Sequence, residues 1–219
     1  MDYEDWDIYY RQILKDFGYS RDEDERAARV LDAKLAGDRI DPEALRPLFA
    51  GRDVTIVGNA PSLADEVTAV VHPVVAADEA TSVLRKAGIR PDVIVTDLDG
   101  DVTDQVAANA EGAVVVVHAH GHNVSAVETW ATKFRGRVIG TTQSRPFGHI
   151  YNFGGFTDGD RAGFLADHFG ATSLLLLGFD FENPNPKDAD QETKKRKLDW
   201  AYILLQRLDA SVYGDGDSE

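Results

Sequence analysis

Two aspartates separated by a single residue, Asp97 and Asp99, are the strongest chemical signal in this 219-residue chain. They come directly after an apolar β-branched run, residues 93–95, and before Gly100. Open α/β sheets bind their ligands at the carboxyl ends of the strands, where these carboxylates would lie. Two carboxylates there repel each other and favour a hard divalent cation such as Mg²⁺, which takes oxygen ligands and often carries substrate phosphates. A solvated Asp-Gly turn that caps the next helix at Asp101 is the structural alternative.

Glycine and polar side chains follow the first predicted strand, in the segment 58–63. Gly58 permits a tight turn, Asn59 and Ser62 can form hydrogen bonds, and the start of the next helix offers free N–H groups to an anion. The segment has neither the lysine of a Walker motif nor the spacing of a dinucleotide fingerprint. It predicts either a loop that contacts a nucleotide or phosphate, or a plain strand-to-helix turn with Ser62 as the N-cap.

Polar residues also follow the second, fourth and fifth predicted strands. Asp78 either caps a helix or hydrogen-bonds a ligand such as a ribose or a heterocyclic base. His118 and His120 lie on the same side of an extended chain, and together with His122 they have a spacing that zinc could use. Without a supporting cysteine or a HExxH frame, hydrogen bonding is the favoured role for these imidazoles. Gln143 carries an amide suited to orienting a ligand.

The segment 152–161 is the second strongest signal. Gly154 and Gly155 allow the backbone to approach a ligand closely. Asp158 and Asp160 bring two carboxylates to the predicted start of a helix, next to an arginine. Asp158 as a helix N-cap is the structural alternative, and it leaves the glycine pair unexplained.

A basic cluster, Lys194, Lys195, Arg196 and Lys197, stands out against the acidic background of the chain. Such a run is usually a solvated helix face, but in this chain it is also the obvious clamp for phosphate groups. Asp180 follows the last predicted strand and should lie at the same edge of the sheet.

Composition restricts the kinds of partner that the chain can have. Aspartate and glutamate number 38 against 23 lysines and arginines, and the net charge is -15. This field repels phosphate, which argues against nucleic acid and anionic membranes and predicts that a phosphorylated ligand arrives with a metal. The absence of cysteine excludes disulfides and thiolate chemistry. The charged start and the lack of a long apolar run predict a cytoplasmic protein without signal peptide or membrane span.

Hydrophobic periodicity divides the chain into three parts. Residues 1–50 read as an N-terminal helical extension with aromatic residues on one face, which predicts core or docking contacts rather than a ligand site. Residues 51–208 alternate short β-branched runs with helical segments, which predicts an α/β catalytic domain with a mostly parallel sheet and helices on both faces. Residues 209–219 read as a flexible acidic tail. The sequence is also compatible with a homo-oligomer.

Eight blocks occur in a fixed order along the chain: GNAPSL, ADEAT, PDVIVTDLDG, HAHGHN, TTQ, NFGGFTDGDRA, LLLLGFDF and KKRKL. Over roughly residues 40 to 208 this set resembles the archaeal 6-hydroxymethyl-7,8-dihydropterin pyrophosphokinases, the MptE-like family. The resemblance implies a thiamine-pyrophosphokinase-like α/β domain, dependence on Mg²⁺ and ATP, and diphosphate transfer to a small pterin alcohol in folate or methanopterin synthesis. One position departs from the family pattern, because His122 stands where an acidic residue is usual.

The chemistry of the residues above fits this resemblance and gives each of them a hypothetical role. Asp97 and Asp99 are assigned to Mg²⁺, and Asp158 or Asp160 completes the metal shell or accepts the proton of the alcohol. Contacts with ATP are assigned to Gly58, Asn59, Ser62, Lys194, Lys195 and Lys197. Contacts with substrate are assigned to Asp78, His118, His120, Gln143, Asn152, Gly154, Gly155 and Asp180, with Asn152 and Asp180 as candidates for the edge of the pterin.

Other functions are also compatible with the sequence. A thiamine-type pyrophosphokinase would use the same fold, and a DxDG phosphohydrolase would use Asp97 as a nucleophile, although that loop normally follows the first strand of its domain. The non-enzyme alternative is a module that senses a nucleotide or pterin. The acidic, lysine-poor composition also resembles that of salt-adapted archaeal cytoplasmic proteins, which predicts a halophilic protein.

Overall fold

The structure is a computed structural model and describes residues 1–35, 37 and 39–214. Within these residues, eight strands form one sheet in the order β6-β5-β4-β3-β2-β1-β7-β8, and all neighbouring strands are parallel. The strands are β1 Asp53–Val57, β2 Val74–Ala77, β3 Val93–Thr96, β4 Val114–Ala119, β5 Val138–Thr142, β6 Ile150–Tyr151, β7 Ser173–Leu177 and β8 Ser211–Tyr213. The predicted parallel α/β architecture is confirmed.

The α-helices of the described residues are α1 Tyr3–Phe17, α2 Arg21–Lys34, α3 Arg46–Phe49, α4 Leu63–Glu66, α5 Ala80–Lys86, α6 Val102–Ala110, α7 Val124–Trp130, α8 Asp158–His168 and α9 Gln191–Leu205. Short 3-10 turns occur at Pro42–Leu45, Val67–Ala69 and Ala131–Lys133. Gly18 ends α1 in the left-handed region, with φ of 68°, where glycine carries no steric penalty.

Helices cover both faces of the sheet, and β4 shows how the sequence produces this arrangement. Val114 and Val116 pack with residues of α3, α8 and α9 on one face, whereas Val115 and Val117 pack with residues of α2, α6 and α7 on the other. Because successive side chains of a strand point to opposite faces, a strand buried on both sides must be apolar throughout. The continuous valine run therefore predicts an interior strand.

The first fifty residues contribute directly to these layers. Helix α2 packs against β4, β5 and α7, so it is part of the layer that covers the sheet. In α1, Trp6, Tyr10 and Ile13 are buried with Phe164 of α8 and Leu204 of α9. The predicted helices are present, and their apolar faces lie in the core as expected.

The sheet extends into the segment that was predicted to be a flexible tail. Ser211–Tyr213 forms the edge strand β8 and pairs with β7, because Val212 provides an apolar residue for the core and the backbone completes one further parallel pairing. Residues 215–219 of that predicted tail lie outside the described residues. In the part of the chain that the structure describes, no helix has the length and apolarity needed to cross a membrane.

The order of strands reverses at β1, which lies between β2 and β7. Such a switch point opens a crevice at the carboxyl ends of the strands. Here the loops after β1 and β7 meet through two glycines: a Cβ on Gly58 would lie 2.5 Å from the carbonyl oxygen of Gly178, and a Cβ on Gly178 would lie 2.7 Å from that of Gly58. The main chains are therefore in direct contact at the switch point.

Candidate active site

A cavity of about 500 Å³ opens at the carboxyl edge of the sheet. Its walls come from the loops after β1, β2, β3, β4, β5 and β7 and from the first turns of α8 and α9. Of the residues predicted to form the site, it is lined by Gly58, Asn59, Asp78, Asp97, Asp99, His120, Gln143, Asp158, Asp180, Lys194 and Lys197. Parallel strands thus bring together residues that are far apart in sequence.

Three carboxylates converge in this cavity. Asp78, Asp97 and Asp158 each contribute one carboxylate oxygen to a group in which all three oxygens lie within 4.8 Å of one another. The Oδ1 atom of Asp97 is buried and has no hydrogen-bond partner among the described residues. Asp99, predicted as the second metal ligand, also lines the cavity, but the carboxylates that the structure brings closest to Asp97 in ligand spacing are those of Asp78 and Asp158.

The carboxylates strongly perturb one another. Burial, followed by the charges of Asp99 and Asp97, raises the pKa of Asp78 to about 7. Burial and the charge of Asp97 likewise raise the pKa of Asp158 well above its usual value, and burial and Asp97 raise the pKa of Asp99. For Asp97, burial opposes ionisation, but a hydrogen bond to His120 and nearby positive charges outweigh it and lower its pKa. Excess negative charge at one place is the setting that a bound cation would stabilise.

Local backbone geometry explains how Asp78 reaches this group. Asp78 has a positive φ of 43° and is not the cap of α5, which begins after Glu79. Its Oδ1 accepts hydrogen bonds from Thr96 Oγ1 at 2.5 Å and Gln105 Nε2 at 2.9 Å, so one oxygen is fixed by the protein. Gly100 lies against the other oxygen, and any Cβ there would collide with it. The cap predicted as one alternative for Asp78 is therefore wrong.

Arg161 connects the acidic group to the loop after β5. Its Nη1 lies 3.2 Å from Asp158 Oδ1, and its Nη2 donates to Gln143 Oε1 at 3.2 Å. Both Arg161 and Gln143 are buried and line the cavity. A guanidinium held by two acceptors in this way presents fixed positive charge to an anionic ligand.

The three histidines do not form a metal site. Among the described residues, the group with metal-ligand spacing contains carboxylates alone. His120 lines the cavity with its Nε2 atom 3.3 Å from Asp97 Oδ2. His118 is buried outside the main cavity and contacts Thr141 Oγ1 at 3.1 Å, so the structure does not bring it to the cavity wall. His122 packs against Tyr19, with ring centroids 4.8 Å apart.

Asp160, in the first turn of α8, shapes the chain rather than the cavity. Asp160 is fully buried and accepts hydrogen bonds from the backbone N–H groups of Phe156 at 2.6 Å and Thr157 at 2.7 Å, in a capping box at the start of α8. Both oxygens are engaged by the protein and Asp160 is not part of the cavity wall, so the structure does not bring it to the acidic group. The N-cap is Thr157, and Asp158 is the first helical residue, which frees its carboxylate for the cavity.

Asn152 and the two glycines after it are also structural. Asn152 donates from Nδ2 to the Ser144 carbonyl at 2.9 Å and accepts from the Gly154 N–H at 2.8 Å, so its amide is held against the loop backbone and is not part of the main cavity wall. Gly154 and Gly155 have φ of 93° and 89°, and a Cβ on Gly155 would lie 2.6 Å from Arg161 Cα. These glycines let the loop pack on α8, and they do not line the main cavity.

Two further predicted contacts lie outside the cavity wall. Ser62 has a helical conformation, forms no side-chain cap, and has a buried hydroxyl away from the cavity. Lys195 points to Asp199 and Glu182 on the exposed side of α9. Lys194 and Lys197 occupy the face of α9 that lines the cavity, and burial lowers the pKa of Lys197.

Several cavity residues were not predicted from the sequence. Tyr19, Phe156 and Phe179 place aromatic rings in the wall. Lys187 contacts Glu79, which also accepts from Asn59 Nδ2 at 2.7 Å. Tyr19 lies between two helices that were interpreted as structural, and the segment around Lys187 has no periodic pattern, so neither gave a usable signal.

Fold and site together define an α/β enzyme with a carboxylate-lined cleft at the carboxyl edge of its sheet. A family model described as 6-hydroxymethylpterin diphosphokinase MptE-like matches residues 38–186. The chain belongs to this family, as the ordered sequence blocks predict.

Three curated relatives carry the name 6-hydroxymethyl-7,8-dihydropterin pyrophosphokinase. The protein from Methanocaldococcus jannaschii is 35% identical and the alignment covers 95% of this chain and 96% of the relative. The relative from Methanothermobacter thermautotrophicus is 40% identical, with 95% and 96% covered. The relative from Pyrococcus furiosus is 41% identical, with 95% and 94% covered.

One solved structure shows the same fold. The MAf glycosyltransferase from Magnetospirillum magneticum AMB-1 matches with a TM-score of 0.50 and 18% identity, and the match covers 86% of this chain and 38% of that chain. At this identity the likeness concerns the fold alone.

Proposed function

We propose that this protein transfers diphosphate from ATP to the hydroxymethyl group of 6-hydroxymethyl-7,8-dihydropterin and releases AMP, as a cytoplasmic enzyme of folate or methanopterin biosynthesis. The observation that carries the proposal is the group formed by Asp78, Asp97 and Asp158, in a cavity that Lys194 and Lys197 also line. The names of the three relatives support the acceptor and the diphosphate transfer.

The chemistry of the donor set suits Mg²⁺. Three carboxylate oxygens lie close together, and Asp97 Oδ1 is buried with no hydrogen-bond partner among the described residues. Hard oxygen ligands of this kind are what Mg²⁺ selects. Asp78, Asp97 and Asp158 would hold the ion, which would supply positive charge to neutralise the phosphates of ATP.

The reaction needs an alcohol oxygen in line with the β-phosphorus of ATP. As the new O–P bond forms, the bond between the β-phosphorus and the oxygen on the α-phosphorus breaks, and AMP leaves with that oxygen. Asp99 is proposed to accept the proton of the alcohol, because burial and the neighbouring Asp97 raise its pKa. Lys194, Lys197 and Arg161 would bind the phosphate oxygens as charge moves between them.

Both substrates carry a planar heterocycle, and the cavity offers aromatic rings for each. Tyr19, His122 and Phe156 contribute rings to the wall, and Phe179 contributes another after β7. Gly58 and Asn59 line the cavity at the switch point, where α/β proteins bind nucleotides. These features support a cleft that holds two flat ligands on either side of a phosphate site.

The proposal is tested by incubating the protein with Mg²⁺, ATP and 6-hydroxymethyl-7,8-dihydropterin and identifying the nucleotide that is released. AMP together with a diphosphorylated pterin is the expected result. ADP would indicate transfer of one phosphate, free phosphate with a phosphorylated Asp97 would support the DxDG phosphohydrolase, and tight binding without turnover would support the sensor. Thiamine in place of the pterin is the specificity control.

A further inference from the structure

Asp24 is a buried carboxylate in α2, outside the cavity and only 3% exposed. Its Oδ2 accepts hydrogen bonds from Tyr10 Oη at 2.6 Å and Gln143 Nε2 at 2.7 Å. Its Oδ1 accepts from the backbone N–H of Gly121 at 2.8 Å. Thus one side chain of the N-terminal helices holds the loops after β4 and β5, both of which line the cavity.

From Asp24, one branch leads to Asp158. Because an ionised carboxylate only accepts hydrogen bonds, Asp24 requires the NH₂ group of Gln143 to face it. The carbonyl oxygen of Gln143 then faces Arg161, whose Nη2 donates to it at 3.2 Å, while Nη1 of Arg161 lies 3.2 Å from Asp158. Because Asp24 accepts hydrogen bonds, it determines which group donates and which accepts in each contact from Gln143 to Asp158.

A second branch leads to Asp97. The turn that contains Gly121 also contains His120, whose Nε2 lies 3.3 Å from Asp97 Oδ2. The same turn is closed by Asn123, which accepts from the His120 N–H at 2.9 Å and donates to the Asp97 carbonyl at 2.7 Å. Asp24 thus supports contacts to two of the three carboxylates in the acidic group.

We propose that Asp24 is a positioning residue for the active site, which holds Arg161 and His120 in the places from which they orient Asp158 and Asp97. A buried carboxylate can be replaced by its isosteric amide at little cost only where a donor does not face each of its oxygens. In an Asp24→Asn variant, however, the amide NH₂ must face either the NH₂ of Gln143 or the N–H of Gly121. Two donors then oppose each other, and one of the two cavity loops loses its support.

Asp7 provides a matched control in the same helices. It is buried like Asp24, accepts from Tyr3 Oη at 3.1 Å, and joins α1 to α2 through Arg21 Nη2 at 2.6 Å. It contacts no residue of the cavity wall in these interactions. Asp7→Asn should therefore weaken the packing of α1 on α2 without moving the loops after β4 and β5.

The first test is hydrogen exchange in the protein without substrates, which does not depend on the reaction. Exchange of the peptide spanning residues 119–123 should become about tenfold faster in Asp24→Asn, since Gly121 loses its acceptor or its loop support. It should stay at the wild-type rate in Asp7→Asn. Unchanged exchange in Asp24→Asn, or equal acceleration in both variants, would overturn the positioning role.

The second test is kinetic and rests on the proposed function. Loss of a supporting residue behind metal ligands lowers activity by about 10–100-fold, and kcat of Asp24→Asn should fall within that range. Combined with Gln143→Ala, the loss should be smaller than the product of the two single losses, because both act through Arg161. If the loss in the double variant equals the product of the two single losses, Asp24 and Gln143 do not act through a shared path. If the wild type shows no diphosphate transfer, the proposed function is contradicted, and the result of the exchange experiment still holds.

A milder pair of variants covers the case in which Asp24→Asn does not fold. Tyr10→Phe removes one donor from Asp24, and Tyr3→Phe makes the same change beside Asp7. Tyr10→Phe should speed exchange of residues 119–123 and 141–144, and Tyr3→Phe should leave both segments unchanged. Identical exchange in the two variants would overturn the proposal.

Discussion

His120 and Asp97 are in contact across two neighbouring strand ends, with His120 Nε2 3.3 Å from Asp97 Oδ2. The contact occupies one oxygen of Asp97 and leaves the other, Oδ1, buried without a hydrogen-bond partner among the described residues. A carboxylate that is oriented by an imidazole and has one free oxygen is typical of a metal ligand with a supporting residue behind it. Asp97 is therefore the central residue of the proposed site.

Asp97→Asn should abolish turnover and leave the fold intact. The amide removes a charged ligand, and the loss of several kcal/mol of charge stabilisation corresponds to a rate at least about 100-fold lower. Stability should change little, because relief of the repulsion with Asp78 and Asp99 is offset by loss of the attraction from His120 and the nearby positive charges, which lower the pKa of Asp97. Steady-state kinetics at saturating Mg²⁺ and thermal melting measure the two effects.

Asp101→Asn is the matched control for this variant. Asp101 caps α6 by accepting from the Thr103 N–H at 3.1 Å, and asparagine is an equally good N-cap. Activity and melting temperature should both stay near the wild-type values. A near wild-type rate in Asp97→Asn would contradict its role as a ligand.

The metal-free protein should lose stability as the pH rises through neutrality. The pKa of Asp78 is about 7 in the folded protein, above the ordinary value of 3.8. A raised carboxyl pKa stabilises the fold at pH values below the unfolded pKa, and this contribution is lost as the pH rises from about 4 through about 7. The melting temperature in EDTA should therefore fall between pH 5 and pH 8, by about 2–4 °C for each kcal/mol lost.

Asp78→Asn isolates this contribution, since it removes the titrating group and keeps the shape. As the pH rises, the melting temperature of Asp78→Asn should increase relative to that of the wild type. Added Mg²⁺ should stabilise the wild type more at pH 8 than at pH 5, because bound cation competes with protons for the carboxylates. A difference that stays constant with pH would contradict the assignment of the titration to Asp78.

Lys194 and Lys197 should affect the use of ATP, whereas Lys195 should not. The first two line the cavity, and the third pairs with Asp199 and Glu182 on the outer side of α9. Lys194→Gln or Lys197→Gln should raise the KM for ATP by about tenfold, the effect of one lost charged hydrogen bond, with a smaller change for the pterin. Lys195→Gln supplies the control in the same helix. Equal effects of all three substitutions on both substrates would contradict phosphate binding by the inner face of α9.

Stability should rise with KCl concentration. The net charge is -15, and salt shortens the reach of charge repulsion from about 30 Å at 0.01 M to about 3 Å at 1 M. A series of melting curves across KCl concentrations measures the effect. A flat or falling melting temperature would contradict the halophilic interpretation and leave the proposed reaction untouched.

The sequence predicted the sheet and the edge at which the cavity opens, because both depend on local pattern. The β-branched runs at β3 and β4 are long enough to be read alone, and parallel strands must share one carboxyl edge. Asp97 follows β3 immediately, so its position in the site required no knowledge of distant contacts. The same reasoning placed Asp78, although its partner in the acidic group was not predictable.

Side-chain direction at helix starts was harder to predict. Asp158 and Asp160 are two residues apart, yet one enters the cavity and the other folds back onto the backbone of Thr157. The spacing of Thr157 and Asp160 is that of a capping box, so this error had a usable signal. The contact of Asp24 with Gln143 had none, because the two residues belong to elements that only tertiary packing brings together.

The contact between Gly58 and Gly178 places an unusual restriction on how this family member can vary. At each glycine, a side chain would collide with the carbonyl oxygen of the other glycine. No substitution can remove that oxygen, because it belongs to the main chain. An alanine at either glycine therefore has no compensating replacement at the other, unlike a clash between two side chains. The close main-chain contact between the loops after β1 and β7 therefore requires glycine at both positions.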